Sequence, residues 1–295
     1  MPLTITDSQE IIDKVLTSAK LEDILDVNNF KEEYDKIMKK IHPDICNLSG
    51  AVGATAKLNS LKDIFKSGTK YFDDAGEFTS NGYFVEFKGN IDLLKKSLAN
   101  FNLIKSIKDA GAPNFHKYMP ETITLDNDKL KIKLDARAVP LSDLTLPQEH
   151  VNWILSRMIE FSAWLGQIGY SHSGINPESI FVVPETHGIQ VCSFYHVTKL
   201  DQKVNTISAK YKNWYPPNLF STKVASLNVD IELSKKTAIF LLGDKSGSGI
   251  KFKKTHNEDF IDFVTQQDYH PKEAYDKYRA LLKKNFESKF HILSL

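Results

Sequence analysis

Two short stretches hold residue types whose order could do chemistry or engage a partner. The first is His42-Pro43-Asp44, which follows a segment carrying Lys31, Lys36, Lys39 and Lys40. Proline cannot continue a helix and biases the residue before it away from helical dihedrals. An imidazole and a carboxylate are therefore expected on a stiff corner where a basic helix ends. The second is GYSHSGINPESIFVVPETHGIQVCSF, residues 169–194, with a histidine, an Asn-Pro-Glu run and a strand–turn–strand pattern. Proton abstraction needs a basic side chain, and Mg²⁺ needs hard anionic oxygen ligands. Gly174, Ser179 and Ser193 offer neither.

The elements that must position these residues follow from periodicity. Residues 8–68 read as almost wholly helical. Apolar stripes run through Ile11, Ile12, Val15 and Leu16, then Leu21, Ile24 and Leu25, then Phe30, Tyr34, Ile37, Met38 and Ile41. The loop HPDICNLSGAVG follows, and Leu58, Leu61, Ile64 and Phe65 form another face closed by Ser67-Gly68. From Thr69 the texture changes to the alternation of KYFDDAGEF and GYFVEFKG, with Asn81-Gly82 as a hairpin signal. A helix over 91–107 and the strand text ETITLDNDKLKIKLDARAV come next, and from Pro147 the chain is mainly helical. The change of periodicity near Gly68–Asp74 divides the sequence into residues 1–68 and 69–295.

The first part resembles the J domain of DnaJ-like co-chaperones across roughly residues 19–68. LEDILDV (21–27) looks like the opening helix, EYDKIMKKIHPD (33–44) like the second helix with its signature, and KLNSLKDIF (57–65) like the third. The stretch from Val27 to Tyr34 is shorter than usual, so the second helix is expected to start late, which sets Lys31 aside. The resemblance implies that His42, Pro43 and Asp44 engage a DnaK-type heat-shock chaperone. It also implies that Tyr34, Lys36, Lys39 and Lys40 offer a positive face to an acidic surface. Such complementarity steers encounter more than it creates affinity. Each lysine taken singly fits a solvated helix face equally well.

The second part resembles a protein kinase over roughly residues 70–290, with a small β-rich lobe (69–144) and a mainly helical lobe (145–295). The fold class expected is therefore α+β, a helical J domain followed by a bilobal kinase-like domain. His172 stands where the catalytic-loop histidine belongs, and Asn176-Pro177-Glu178 aligns with the usual Lys-Pro-Glu run. The working residues are missing: Gly174 replaces the catalytic aspartate, Ser179 the metal-binding asparagine, and Ser193 the aspartate of the metal loop. Lys88 could be the phosphate-binding lysine, but Ser97 stands near the position of its helix glutamate, and only Gly76 lies in the first hairpin. NVDIELSKKTAIFLLGD (228–244) resembles the central helix of the large lobe, with Asp230 as the buried aspartate that ties down the catalytic loop. The resemblance thus implies a pseudokinase.

A net charge of +1 gives no sign of nucleic acid or membrane as partner. Cys46 and Cys192 form no CxxC pair, no metal spacing stands out, and no apolar stretch is long enough to span a bilayer. The order of Lys245-Ser246-Gly247-Ser248-Gly249 is wrong for a phosphate loop, so a flexible inter-helix loop is expected there. Pro271 is followed by Lys272 and opens a helix. The expected function is a cytoplasmic co-chaperone or adaptor, non-enzymatic and without cofactor, whose kinase-like part binds a client or partner protein. The alternatives are a divergent kinase or nucleotide switch using Lys88, and a J-like module that holds its chaperone without activating it.

Overall fold

The structure is a computed structural model that describes residues 5–204, 206–267, 270–287 and 289–295. Contacts divide the chain into two compact units. One comprises Met1–Thr69 with Thr79–Tyr83, the other Lys70–Phe78 with Phe84–Leu295.

The smaller unit is built on three helices, α1 (Ile5–Thr17), α2 (Phe30–Ile41) and α3 (Ala51–Ser67). Their apolar stripes bury Ile12, Val15, Ile37, Ile41, Ala54, Leu58 and Phe65 in one core. The stretch expected as an opening helix is not one. Leu21–Asp23 makes a single 3-10 turn, closed by the Asp23 carboxylate accepting from the Lys20 N–H at 2.9 Å. Leu21, Ile24, Leu25 and Val27 are all buried. In an α-helix Val27, six residues after Leu21, would point away from the stripe, so an irregular path buries all four. The second helix does not start late, since α2 begins at Phe30 and takes in Lys31. Helix α3 begins at Ala51, inside the expected loop. Gly50 precedes it at φ +88°, and a Cβ there would meet Ile12 Cγ2 at 3.1 Å. Glycine thus allows α1 to lie against the start of α3.

The larger unit has a sheet part and a helical part. Strands β1 (Thr69–Asp73), β2 (Gly76–Ser80), β3 (Phe84–Gly89), β4 (Thr122–Asp126) and β5 (Lys129–Lys133) form one sheet in the order β1-β2-β3-β5-β4. Antiparallel register sets Val85 against Ile132 and Phe87 against Leu130, so the buried side chains fall on one face. Helix α4 (Ile91–Lys105) covers that sheet; the Asn90 side chain accepts from the N–H groups of Asp92 and Leu93 and caps it. A short helix α5 (Ala112–Phe115) leads into β4.

Beyond β6 (Val139–Pro140) comes the long α6 (Gln148–Gln167). It is followed by β7 (Tyr170–Ser171), β8 (Ile180–Val183), β9 (Gly188–Val191) and β10 (Thr198–Lys199). The chain closes with α7 (Pro217–Thr222), α8 (Leu227–Leu241), α9 (Glu258–Thr265) and α10 (Pro271–Asn285). Strand β8 pairs with β6 and β9, and β7 with β10, so the loop between β7 and β8 is held at both ends. Helix α8 is buried almost throughout and packs on α6. No helix among the described residues is long and apolar enough to cross a membrane.

Candidate functional site

In the smaller unit, α2 ends at Ile41, and His42 caps it in extended conformation while its N–H still donates to Met38 O at 3.0 Å. Pro43 then bars continuation, and the His42 carbonyl accepts from the N–H groups of Ile45 and Cys46 at 3.0 and 2.9 Å. The corner is thus a hydrogen-bonded turn. The side chains of His42 and Asp44 are 42% and 84% exposed, with His42 Nδ1 3.4 Å from Asp44 Oδ2. A recess beside them is lined by Asp35, Met38, Lys39, His42, Asp44 and Ile45. Periodicity assigned Met38 to the core stripe and gave no reason to notice Asp35. Ile45 is 65% exposed, an unusual place for a large apolar side chain, and only its position in the signature loop could have pointed to it.

The expected basic face is narrower than four residues. Lys36 is held by Glu32 and Glu33 at 2.9 and 3.0 Å, and Lys40 by Asp7 at 2.8 Å. Tyr34 is half-buried; its hydroxyl donates to Asn59 Oδ1 and accepts from Lys62 Nζ at 3.2 Å. Tyr34 is therefore a contact between α2 and α3, not part of an open face. Lys39 is exposed beside the corner.

In the larger unit, the loop after β7 is tied to α8. Asp230 is buried, and its two carboxylate oxygens accept from the backbone N–H groups of His172 and Ser173, both at 2.7 Å. Burial pushes Asp230 up to about 6, against the pull of those two donors. His172 is fully buried, its Nε2 2.8 Å from Ser193 O, and burial pushes it down to about 3. A neutral imidazole whose Nε2–H donates to Ser193 fits both observations. Asn176 and Ser179 build the loop: Asn176 Oδ1 accepts from the N–H groups of Glu178 and Ser179, and Ser179 Oγ donates to Gly174 O at 2.9 Å. Ser97 on α4 accepts from Phe194 N–H at 3.0 Å, and Asn100 Nδ2 donates to Phe194 O at 2.8 Å. Helix α4 is thereby pinned to the segment that follows Ser193.

The space between its sheet part and its loop is filled by the chain itself. A Cβ on Gly174 would lie 2.1 Å from His196 Cδ2 and 2.5 Å from His196 Cγ, so the imidazole occupies the place of a side chain at 174. Thr206 O sits 3.0 Å from His196 Nδ1 and fixes the ring. Tyr195 donates its hydroxyl to Asp73 Oδ2 at 2.9 Å, and Asp74 Oδ1 accepts from Ala209 N–H at 2.8 Å. The turn between β1 and β2 is thus bonded directly to the segment after Ser193. Burial pushes Asp73 up to about 6. Behind the turn, Phe78 stacks between Tyr71 and Phe87 at 5.0 and 4.6 Å, with Phe181 at 6.1 Å. Lys88 lies on the other side of β3: it is exposed, whereas Val85 and Phe87 are buried. The structure does not bring it together with Ser97.

The stretch 245–249 is not a loose loop, because Asp244 accepts from Ser246 Oγ, Ser248 Oγ and the N–H groups of Ser246 and Gly249. No group of three or more His, Cys, Asp or Glu residues among those described could hold a metal ion.

No protein-family profile matches the chain, and no curated protein does. Among solved structures, that of vaccinia related kinase 3 aligns with 74% of this chain and 91% of its own, at 14% identity and a TM-score of 0.49.

Proposed function

We propose that this chain is a cytoplasmic co-chaperone: the smaller unit acts as a J domain that stimulates a DnaK-type ATPase, and the larger unit is a catalytically inert kinase-like domain that binds a client or partner protein. One observation carries the first half. His42 and Asp44 stand exposed on a hydrogen-bonded corner, beside Lys39 and the exposed Ile45. A preformed corner loses little freedom on docking, which favours contact with a partner. Lys39 supplies charge that steers encounter with an acidic surface, and its effect fades as salt rises.

The second half is supported by the occupied position at Gly174 and by Lys88 on the exposed side of β3. Gly174, Ser179 and Ser193 offer no carboxylate to orient a hydroxyl or to hold Mg²⁺, and the loop's own carboxylate, Glu178, is engaged by Lys210 and Tyr211. The retained Asp230 hydrogen bonds keep the scaffold in shape without it.

The test is an Asp44→Asn variant in a single-turnover ATPase assay with a DnaK-type chaperone, helix content being checked by circular dichroism. The exposed side chain makes an intact fold the expectation, together with loss of stimulation. Stimulation equal to the parent protein would reject the J-domain reading. Chaperone binding without stimulation by the parent protein would instead assign it a holding role.

A further inference from the structure

Between Gln202 and Asn257 the sequence has ten lysines and three carboxylates, although the whole chain carries a net charge of only +1. The three carboxylates, Asp230, Glu232 and Asp244, are all buried. Each is engaged inside the unit: Asp230 by the loop after β7, Glu232 by Lys235, and Asp244 by the turn that follows it. The surface of this stretch therefore presents no carboxylate of its own, whereas Lys235 is its only buried lysine.

Four of these lysines surround one turn. Trp214, in the 3-10 turn Lys212–Trp214, donates its Nε1–H to Ser246 O at 2.9 Å. Gly247, at φ +72°, leaves room for the ring, since a Cβ there would lie 2.8 Å from Trp214 Nε1 and 3.4 Å from Lys236 Cδ. Lys245 donates to Leu144 O at 3.1 Å and Lys251 to Gly243 O at 3.3 Å, backbone acceptors that do not neutralise either charge. Lys212 and Lys236 have no ion-pair partner among the described residues. Partial burial holds the Lys245 ammonium below the usual lysine range; Asp143 and Glu178 oppose this, and Lys210 adds to it. Of those two carboxylates, Glu178 is engaged by Lys210 and Tyr211, and Asp143 accepts from the Tyr71 hydroxyl. Five lysines thus stand against two carboxylates that already have partners. The turn is fixed by its bonds to Asp244, and Ile250 stands 74% exposed beside Lys251.

We propose that this face docks an acidic polypeptide segment, rich in Glu or Asp and carrying an apolar residue that settles on Ile250. This deepens the reading of the larger unit as a partner-binding domain and rests on that reading. Lysine is a flexible point charge, suited to carboxylates spread along a chain. The stretch holds no arginine, so it lacks the planar fork that pairs phosphate bidentately. The rings beside the turn, Trp214, Phe240 and Phe252, are buried and offer no face for a base to stack on. Ile250 alone is too little apolar surface for insertion at a bilayer interface. A turn that is already rigid loses little freedom when the partner arrives.

Fluorescence anisotropy of a labelled Glu-Glu-Glu-Ile-Glu-Glu-Glu peptide with the full chain tests this, beside its all-lysine counterpart, an oligo-dT strand and phosphatidylserine vesicles. The acidic peptide should bind, and added salt should release it. Surface ion pairs are individually weak, so Lys212→Gln/Lys236→Gln/Lys245→Gln/Lys251→Gln together should weaken binding by about tenfold or more. The same charge removed at the exposed Lys95, Lys108, Lys272 and Lys289 should change it by less than about twofold. If the first variant fails to melt cooperatively, Lys212→Gln/Lys236→Gln still decides, because those amines hold no partner among the described residues; a loss of about threefold is expected. Equal losses in both quadruple variants would mean that net charge holds the peptide, and would overturn this face while leaving the larger unit a partner-binding domain. Absence of peptide binding would overturn the proposal, as would tighter binding of the oligonucleotide or the vesicles. The Asp44→Asn assay reads the smaller unit and is untouched by any of these outcomes.

Discussion

Adding one methyl group at position 174 should destabilise the larger unit, although glycine-to-alanine changes are often favourable. Without a steric conflict, Gly→Ala stabilises by about 0.4–1 kcal/mol through the unfolded chain. At Gly174 the new Cβ would stand 2.1 Å from His196 Cδ2, 2.5 Å from Cγ and 2.7 Å from Cβ, distances that folded proteins do not sustain. His196 cannot swing aside freely, because it is buried and its Nδ1 is held at Thr206 O. Overpacking of this kind costs about 1–3 kcal/mol. For a unit of this size each kcal/mol moves Tm by roughly 2–4 °C, so a fall of about 2–12 °C is expected for Gly174→Ala. Tryptophan fluorescence reads this unit alone, since Trp153, Trp164 and Trp214 all belong to it. The control is the same substitution in a His196→Ala background, where the conflict is gone and the change should be neutral or slightly stabilising. A parent-like melt for Gly174→Ala, or equal losses in both backgrounds, would refute the claim that His196 fills the site.

Acid should destabilise the larger unit. Burial pushes His172 down to about 3 and His187 and His196 down to about 4. Their stabilising contribution is complete above the unfolded value of about 6.5 and is lost as pH falls toward the folded values, whereas Asp73 and Asp230, pushed up to about 6, gain as pH falls from about 6 to 4. Stability should fall between pH 6 and 4, and a His196→Gln variant should flatten that fall in urea titrations; an unchanged slope would contradict it. Asp230→Ala should lower the unfolding free energy, measured by urea titration, by about 2–6 kcal/mol, because it strands two buried N–H groups, while Asp230→Asn, which keeps one acceptor, should cost less; equal costs would argue against the tether. Millimolar ATP with Mg²⁺ should leave Tm unmoved, since a ligand at 100 Kd would add about 2.7 kcal/mol; a clear upward shift would revive the nucleotide reading.

Local signals were legible in the sequence, and long-range ones were not. Pro43 ends α2 through a property of the residue itself, so the corner could be read directly. Asp230 stood out only through the resemblance of residues 228–244 to the central helix of a kinase large lobe, since the same helix also carries Glu232, Lys235 and Lys236. The turn at Leu21–Asp23 was misread as α-helix because Leu21, Ile24 and Leu25 match helical spacing, and burial of Val27 overrides it. The packing of His196 on Gly174 joins residues whose types predict no contact. The bond from Tyr195 to Asp73 spans more than a hundred positions, which no periodicity encodes. The same holds for the ion pairs that occupy Lys36 and Lys40: their partners Glu32, Glu33 and Asp7 were visible as charges, but the pairing of Lys40 with Asp7 depends on how α1 lies on α2.

The hairpin tip Thr79–Tyr83 groups with the smaller unit while the strands on either side of it continue into the larger one. Asn81 Nδ2 donates to Phe65 O at 3.0 Å, and the Tyr83 ring lies 6.3 Å from that of Phe65. A cut placed after Thr69 would leave the end of α3 without these partners. Any excision or graft of the helical unit therefore has to redesign the exposed end of α3, and an exchange between relatives at that point would break a shared element rather than a linker.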